Sequence, residues 1–252
     1  MLYLVDGTSH DFFFRTDAEY ESQFRNSFCY RLATELGQGS ARYFPGPKVL
    51  GLETGALASR VAEEIRRLPL TEKVFLCGYS RGGAAVIAAA KRVNRPIEAM
   101  FLFDAVDRTI DLSTDVIPKN VAAAYNAIRD PKFAEKFEKE VDQKASALTK
   151  ELTTFVVAAD FRTIKAAASY VSTKVKDLDF KYNKHRYTAF DNTGLKADPP
   201  CRLSIKSFPG THGAMGGLPW PEVETDRDVA NQVGAWMSSN MRLHGYNNFL
   251  KA

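Results

Sequence analysis

The sequence of 252 residues predicts an α/β fold, in which helices flank a mostly parallel central sheet and a helical insertion interrupts the core. Short apolar runs alternate with segments whose apolar residues recur at helical spacing, and strands joined by single helices form crossovers in a parallel sheet. A content of 45% hydrophobic and 25% charged residues is typical of a folded globular domain and excludes disorder. The length fits one domain over residues 1–252 better than two small ones.

Composition and charge argue against several function classes. The apolar runs are shorter than the ~18–20 residues that span a bilayer, and Asp6 breaks the opening run Met1–Val5. We therefore expect no signal peptide, and either a cytoplasmic protein or one exported by a signal-independent secretion system. A net charge of +4 is too small to favour nucleic acid as a partner. Three scattered cysteines are too few for a zinc site or a disulfide framework: Cys29, Cys77 and Cys201. We expect no metal and no other cofactor.

Strands and helices alternate in the first part of the chain. Met1–Val5 is an apolar strand that stops at the turn residues Asp6-Gly7-Thr8. Asp17–Leu36 and Thr54–Leu68 carry apolar residues at helical spacing, and Pro69 ends the second of these helices. A strand, an Ala-rich helix and a second apolar strand follow in this order: Lys73–Gly78, Arg81–Val93 and Ile97–Phe103.

A long helix-prone segment, residues 119–184, interrupts this alternation. It holds 13 basic and 9 acidic residues, so the net charge of the whole chain can be assigned to it. We interpret it as helices inserted between core strands, a candidate lid, whose basic faces are either simply solvated or contact a membrane surface. Within it, Phe155–Ala159 fits a strand or a buried helical turn. The core resumes with the alternating strand Arg202–Phe208 and closes with the amphipathic helix Asp226–Arg242.

The segment Gly78-Tyr79-Ser80-Arg81-Gly82 lies between a predicted strand and a predicted helix. A G-x-S-x-G pattern at this position is a nucleophile elbow, which holds a serine hydroxyl above the edge of a sheet. The turn is so sharp that side chains two residues before and after the serine would clash, and glycines avoid this. The pattern predicts that Ser80 is a nucleophile; the alternative is a Gly-rich turn whose serine does no chemistry.

A serine hydroxyl becomes a good nucleophile when a histidine takes its proton and an acid orients that histidine. His212 lies in a Gly-rich loop after the last predicted strand, where the base of such an enzyme belongs, and we predict that it is the base. His185 lies in the insertion, and His244 follows the final helix. His10 lies in the first strand-to-helix loop, from which it could reach the mouth of the site.

Three aspartates are candidates for the acid. Asp104 ends the strand after the elbow helix, so it reaches the same sheet edge one strand away from Ser80. Asp107 lies three residues later, and Asp160 follows the ambiguous run at the end of the insertion. We favour Asp104, although an aspartate at the end of an apolar strand can also serve as a turn former or a helix cap.

An oxyanion hole needs two amide donors. The amide of Arg81, the residue after the nucleophile, is the first. The second is predicted to come from Gly7 or Thr8, because a glycine lets the backbone approach a substrate closely. The alternative is that Asp6-Gly7 forms an ordinary tight turn.

Four segments in this order resemble the α/β hydrolases of the type VI secretion phospholipase-effector group: Val5–Thr8, Gly78–Gly82, Leu102–Val106 and Phe208–His212. The typical family forms are F-D-G-T, G-F-S-R-G-A, W-D-T-V and F-P-G-V-H-S-D-V-G-G-G-Y. Ile117–Ala127 is also similar to the segment that follows the aspartate strand in that family. The resemblance covers most of the core and leaves out the insertion, from about residue 130 to about residue 197.

The resemblance implies an α/β-hydrolase-like fold and a Ser-His-Asp esterase, with Ser80 as nucleophile, Asp104 as acid and His212 as base. Family members with known roles cleave the phospholipids of a competitor's membrane. The sequence departs from the family in two places. The Asp and Tyr that follow the family's histidine are absent here, and Gly83 stands where the family has alanine.

From these residues we predict a carboxylic-ester hydrolase that forms an acyl-enzyme at Ser80 and acts on lipid or phospholipid acyl esters. Phe12, Phe13, Phe14 and Trp220 could line a site for an acyl chain, or belong to the ordinary core. Two alternatives remain open. One is a small-molecule esterase, thioesterase or peptidase of the same fold. The other is a non-catalytic binding scaffold with the insertion as its interaction surface.

Overall fold

The structure is a computed structural model, and it describes residues 1–8, 17–47, 53–107, 112–158, 192–221 and 223–247. The chain divides into two compact units. The first consists of residues 1–130 and 191–252, and the second of residues 131–190. The second unit corresponds to most of the predicted insertion.

Strands and helices alternate along the first unit. The described strands are β1 (Leu2–Val5), β2 (Ala41–Phe44), β3 (Phe75–Tyr79), β4 (Ala99–Phe103), β5 (Val116–Ile117), β6 (Ala123–Arg129), β7 (Lys196–Ala197) and β8 (Arg202–Phe208). The described helices are α1 (Asp17–Phe24), α2 (Phe28–Leu36), α3 (Thr54–Arg67), α4 (Arg81–Lys91), α5 (Pro131–Ala158), α6 (His212–Met215) and α7 (Asp226–Arg242). Of these, α5 alone belongs to the second unit.

Six strands form one sheet in the order β2-β1-β3-β4-β6-β8, and every neighbouring pair in it is parallel. The register pairs Val5 with Gly78, and Phe103 with both Tyr79 and Ala127. The residues that follow β1, β3 and β4 therefore meet at one edge of the sheet. This confirms the predicted α/β class with a mostly parallel central sheet flanked by helices. A second, two-stranded parallel sheet joins β5 and β7.

Both faces of the sheet are covered by helices. All residues of β1, β3 and β4 are buried, which is why these strands are continuous apolar runs. Alternate residues of each strand pack to opposite sides. On one side they join the buried residues of α2 and α7, and on the other those of α3 and α4.

The structure differs from the predicted boundaries of the insertion. The sequence predicts helices across residues 119–184, whereas Ala123–Arg129 is an inner strand of the main sheet. Its Ala-rich sequence has helical propensity, but it forms a strand because it is buried and pairs with β4 on one side and β8 on the other. The helix of the second unit begins at Pro131. Of the ambiguous run Phe155–Ala159, the residues up to Ala158 are helical, and Ala159 lies outside the described residues.

The predicted helix Asp17–Leu36 is two helices, α1 and α2. Ser27 separates them, because its Oγ accepts a hydrogen bond from the amide of Tyr30 at 3.0 Å and so caps α2. Strand β2, at the edge of the sheet, follows α2 and was not predicted, since its alternation covers only four residues.

Helix α5 is charge-balanced, with five lysines and five acidic residues in its 28 positions. Two exposed ion pairs lie along it, Lys139–Glu135 at 2.7 Å and Lys136–Glu140 at 3.8 Å. The basic excess of the insertion therefore lies outside this helix. In the described part of the chain, no helix combines the length and the apolar character that crossing a bilayer requires.

Candidate active site

Ser80 occupies a sharp turn between β3 and α4. Its φ of 56° lies in the left-handed region that non-glycine residues rarely adopt. Its amide donates to the carbonyl of Phe103 on β4 at 3.0 Å, which ties the turn to the neighbouring strand. A Cβ on Gly78 would lie 2.6 Å from the carbonyl oxygen of Gly82, and one on Gly82 would overlap the carbonyl oxygen of Val5. Both glycines of the pattern are therefore required by close backbone approach, as predicted.

Gly83, where the resembling family has alanine, packs against the residue that follows Asp104. A Cβ at position 83 would overlap the Cβ of Ala105 and lie 2.9 Å from its Cα. We therefore expect Gly83→Ala to lower the free energy of unfolding by about 1–3 kcal/mol, although alanine favours helices. In an Ala105→Gly background the loss should be smaller by about 1 kcal/mol. Urea unfolding of the four proteins measures both values, and strictly additive losses would show that this contact is not the cause.

Ser80, His212 and Asp104 form one hydrogen-bonded chain. Ser80 Oγ lies 2.9 Å from His212 Nε2, and His212 Nδ1 lies 2.6 Å from Asp104 Oδ2. The carboxylate accepts the proton of Nδ1, which leaves Nε2 free to accept the hydroxyl proton of Ser80. The three residues follow β3, β8 and β4, so the parallel sheet brings them to the same edge. This is the arrangement of a nucleophile, a base and an orienting acid.

Asp104 is fully buried and keeps its charge through its partners. Oδ1 accepts hydrogen bonds from the side chain of Asn192 at 2.7 Å and from the amide of Arg129 at 3.1 Å. Oδ2 lies 2.5 Å from Nε of Arg129. Burial alone would raise the pKa of Asp104, but the charge of Arg129 and the hydrogen bonds from His212 and Asn192 lower it to about 2. The carboxylate is therefore ionised at neutral pH.

The loop that carries His212 is held by a buried aspartate at the start of α7. Asp226 Oδ1 accepts from the amide of Thr211 at 2.8 Å. Its Oδ2 accepts from the hydroxyl of Thr211 at 2.6 Å and from the amide of Trp220 at 2.7 Å. Thr211 in turn caps α6, whose first residue is His212. One carboxylate thus fixes both sides of the loop.

Tyr79 holds the other side of His212. The two rings stack with centroids 4.9 Å apart, and the phenol donates to the carbonyl oxygen of His212 at 3.0 Å. Gly216 lies so close to the Tyr79 ring that a Cβ there would overlap it. Burial, followed by the negative charges of nearby aspartates, raises the pKa of Tyr79 well above its usual value, so the phenol remains a neutral donor.

Two of the predicted oxyanion donors, Arg81 and Gly7, lie next to Ser80. Arg81 directly follows Ser80 and is the first residue of α4. A Cβ on Gly7 would lie 3.1 Å from the Cβ of Ser80, so the loop after β1 passes beside Ser80. The amide of Gly7 donates to Asp6 Oδ1 at 2.9 Å. Because Gly7 is engaged in this way, Thr8 remains the candidate for the second donor.

Asp6 anchors this loop from within the core. It is fully buried, and its Oδ2 accepts hydrogen bonds from the hydroxyls of Ser27 and of Tyr43, the latter at 3.0 Å. Burial raises its pKa from the usual 3.8 to about 7, against the lowering effect of the hydrogen bonds from Ser27, Gly7 and Tyr43. Asp6 therefore changes its charge near neutral pH.

Stability should depend on the titration of Asp6. The folded state binds this proton up to about pH 7, whereas the unfolded chain releases it near pH 3.8. The contribution of Asp6 to the free energy of unfolding is therefore fully present below about pH 4 and is lost as the pH rises through about 7. The loss is about 1.4 kcal/mol for each unit between the two pKa values. Asp104 titrates below this window. In Asp6→Asn we expect this decrease in the free energy of unfolding with rising pH to be absent. Urea unfolding at several pH values tests it, and parallel curves for both proteins would contradict it.

Other predicted site residues lie elsewhere. His244 contacts the Tyr125 hydroxyl at 3.1 Å and the ring of Phe75, the first residue of β3, so it lies towards the end of the sheet opposite Ser80. Asp107 accepts a hydrogen bond from Thr114 at 2.5 Å. Trp220 lies in the loop after α6, half-buried. The remaining candidates lie outside the described residues: His10, Phe12, Phe13, Phe14, Asp160 and His185.

Several residues of the site were not found from the sequence. Arg129 fell in a segment interpreted as helix, and Asn192 is 88 positions from its partner Asp104. Asp226 looked like an ordinary acidic residue at the start of a helix. Asp6 gave a local signal, since it directly precedes the predicted Gly7 turn, but its partners are Ser27, which caps α2, and Tyr43 of β2.

Comparison with known proteins adds no family to this geometry: no family model and no curated protein matches the chain. Among the described residues, His, Cys, Asp and Glu side chains form no group of three or more that could hold a metal ion.

Proposed function

We propose that the protein is a serine hydrolase with an α/β-hydrolase fold, which cleaves carboxylic esters. The observation that carries the proposal is the hydrogen-bonded chain from Ser80 through His212 to Asp104, with distances of 2.9 and 2.6 Å. Two further features support it. The serine lies in a strained turn from a strand into a helix, and the order along the chain is Ser, Asp, His, as in α/β hydrolases.

In the proposed reaction, Ser80 Oγ attacks the acyl carbonyl carbon while its proton passes to Nε2 of His212. The oxygen of the tetrahedral intermediate accepts hydrogen bonds from the amide of Arg81 and from a second donor, Thr8. His212 then gives its proton to the leaving alkoxide as the ester C–O bond breaks, and the acyl group stays on Ser80. A water molecule that loses a proton to His212 hydrolyses the acyl-enzyme, which releases the acid and restores Ser80.

The ion pair and hydrogen bonds of Asp104 support this sequence of proton transfers. An ionised Asp104 keeps the proton of neutral His212 on Nδ1 and stabilises the imidazolium that forms. Because the pKa of Asp104 is held at about 2, its charge does not limit the reaction at neutral pH.

For the substrate we propose a lipid or phospholipid acyl ester, on the basis of the motif resemblance. The test compares hydrolysis of short-chain p-nitrophenyl esters, phosphatidylcholine and phosphatidylglycerol vesicles, an acyl thioester and a peptide library. Fastest turnover of the vesicles, with release of free fatty acid, is expected. Faster turnover of a short-chain ester, thioester or peptide would move the assignment to that substrate class. No turnover of any of them, with Ser80 unreactive, would favour a binding scaffold.

We also propose that the insertion contacts a membrane surface, because the basic excess of the chain lies in residues 119–184. Sedimentation with anionic vesicles should then carry the protein down at low salt and release it at high salt. Equal sedimentation with neutral and anionic vesicles would contradict an electrostatic contact.

A further inference from the structure

The carboxylate of Asp104 is paired with a buried arginine that the proton transfers of a serine hydrolase do not require. Arg129, the last residue of β6, is 1% exposed, and Asp104 is fully buried. Arg129 Nε lies 2.5 Å from Asp104 Oδ2. The same oxygen accepts the hydrogen bond from His212 Nδ1 at 2.6 Å. One oxygen therefore serves the base and a permanent cation together.

This shared oxygen has two consequences for the charges of the site. A buried carboxylate needs compensation, and the guanidinium keeps Asp104 ionised and fixed in position. The same guanidinium repels the positive charge that His212 gains when it takes a proton, because both groups face one oxygen. Arg129 therefore reduces how strongly His212 holds a proton, while Asp104 increases it.

We propose that Arg129 is a positioning residue of the triad, which fixes Asp104 and sets the acid limit of the pH range in which His212 can accept the proton of Ser80. The inference rests on the proposed function, since it concerns the activation of that serine. It adds to the three triad members a cation that adjusts the base through the acid.

The other groups around the pair remain the same when Arg129 is replaced. Asn192 donates to Asp104 Oδ1, and Tyr79 on β3 stacks on the ring of His212 as a neutral phenol. Asp226 on α7 reaches His212 through Thr211. Asp6 after β1 titrates near pH 7 and acts on Tyr79. Because variants of Arg129 keep all of these groups, the difference between their pH profiles and that of the wild type isolates the guanidinium.

The test is the rate of serine labelling by a fluorophosphonate, followed by intact-mass spectrometry from about pH 5 to about pH 9. Arg129→Met is expected to move the acid limb of the profile upwards by about one pH unit, since His212 then keeps its proton to a higher pH. Arg129→Lys keeps a cation and should keep the wild-type limb. Asn192→Ala removes a neutral donor to the same carboxylate, so it should lower the rate by a similar factor at every pH.

Two results would overturn the proposal: an Arg129→Met profile whose acid limb coincides with the wild-type limb, or an Arg129→Lys limb that moves as far as that of Arg129→Met. A wild type that takes no label at any pH contradicts the proposed function instead, and so separates the two failures.

Arg129→Met leaves a buried carboxylate without its cation, so its folding is checked by circular dichroism. If it does not fold, the double variant Asp104→Asn/Arg129→Met provides the test, because both charges of the pair are then gone. It should unfold at a higher temperature than Asp104→Asn alone, whose arginine is uncompensated. A double variant no more stable than Asp104→Asn would mean that Arg129 acts by packing, and would overturn the proposal.

Discussion

Ser80→Ala should abolish ester hydrolysis, with a loss of at least about 10⁴-fold in kcat/KM. In the proposed reaction the hydroxyl oxygen forms the acyl-enzyme, and alanine removes it without adding volume to the crowded turn. The measurement is the rate of hydrolysis of a short-chain p-nitrophenyl ester at neutral pH. Ser204→Ala is the matched control, because Ser204 is exposed on β8, and its activity should equal that of the wild type.

Hydrolysis that survives in Ser80→Ala at more than about one-hundredth of the wild-type rate would place the nucleophile elsewhere. The variant should fold as the wild type does, because the hydrogen bonds of the backbone amide and carbonyl of residue 80 remain. Only the side-chain contact with His212 is lost. Serine and alanine are both strained at the positive φ of position 80, so the substitution changes this strain little.

Asp104→Asn should lower kcat by about 10³- to 10⁴-fold while Ser80 and His212 remain in place. An amide at this position can donate to Nδ1 of His212. The neutral imidazole then carries its proton on Nε2, so Nε2 can no longer accept a proton from Ser80. The pH dependence of the residual rate is the informative measurement, because direct attack by hydroxide should make it rise steadily with pH.

Asp104→Asn leaves the buried charge of Arg129 without its carboxylate partner, so the control must separate the resulting loss of stability from the loss of activity. The double variant Asp104→Asn/Arg129→Met should regain stability and remain inactive, which separates the chemical loss from unfolding. An Asp104→Asn protein with more than about one-tenth of the wild-type kcat would show that Asp104 does not orient the base.

The core of the fold and the three triad candidates could be predicted because their signals are local. Continuous apolar runs follow from strands buried on both faces, and the glycines at 78 and 82 follow from one turn in which backbone meets backbone. The parallel sheet then brings Ser80, Asp104 and His212 to one edge. This places the three residues near each other from strand order alone.

The partners of the triad could not be predicted because each depends on packing between distant segments. Arg129 belongs to a strand whose Ala-rich sequence has helical propensity, and its burial is set by β4 and β8 on either side. Asp226 and Asp6 look like ordinary polar residues at the end of an element. Their roles come from donors that the fold brings to them, up to 37 positions away in the case of Asp6 and Tyr43.

The most direct test of an activated serine is intact-mass spectrometry of the protein after incubation with a fluorophosphonate, followed by peptide mapping. We expect a single adduct on the peptide that contains Ser80, absent in Ser80→Ala and formed much more slowly in His212→Ala. Folded wild-type protein that takes up no label, either alone or with phospholipid vesicles, would contradict the account.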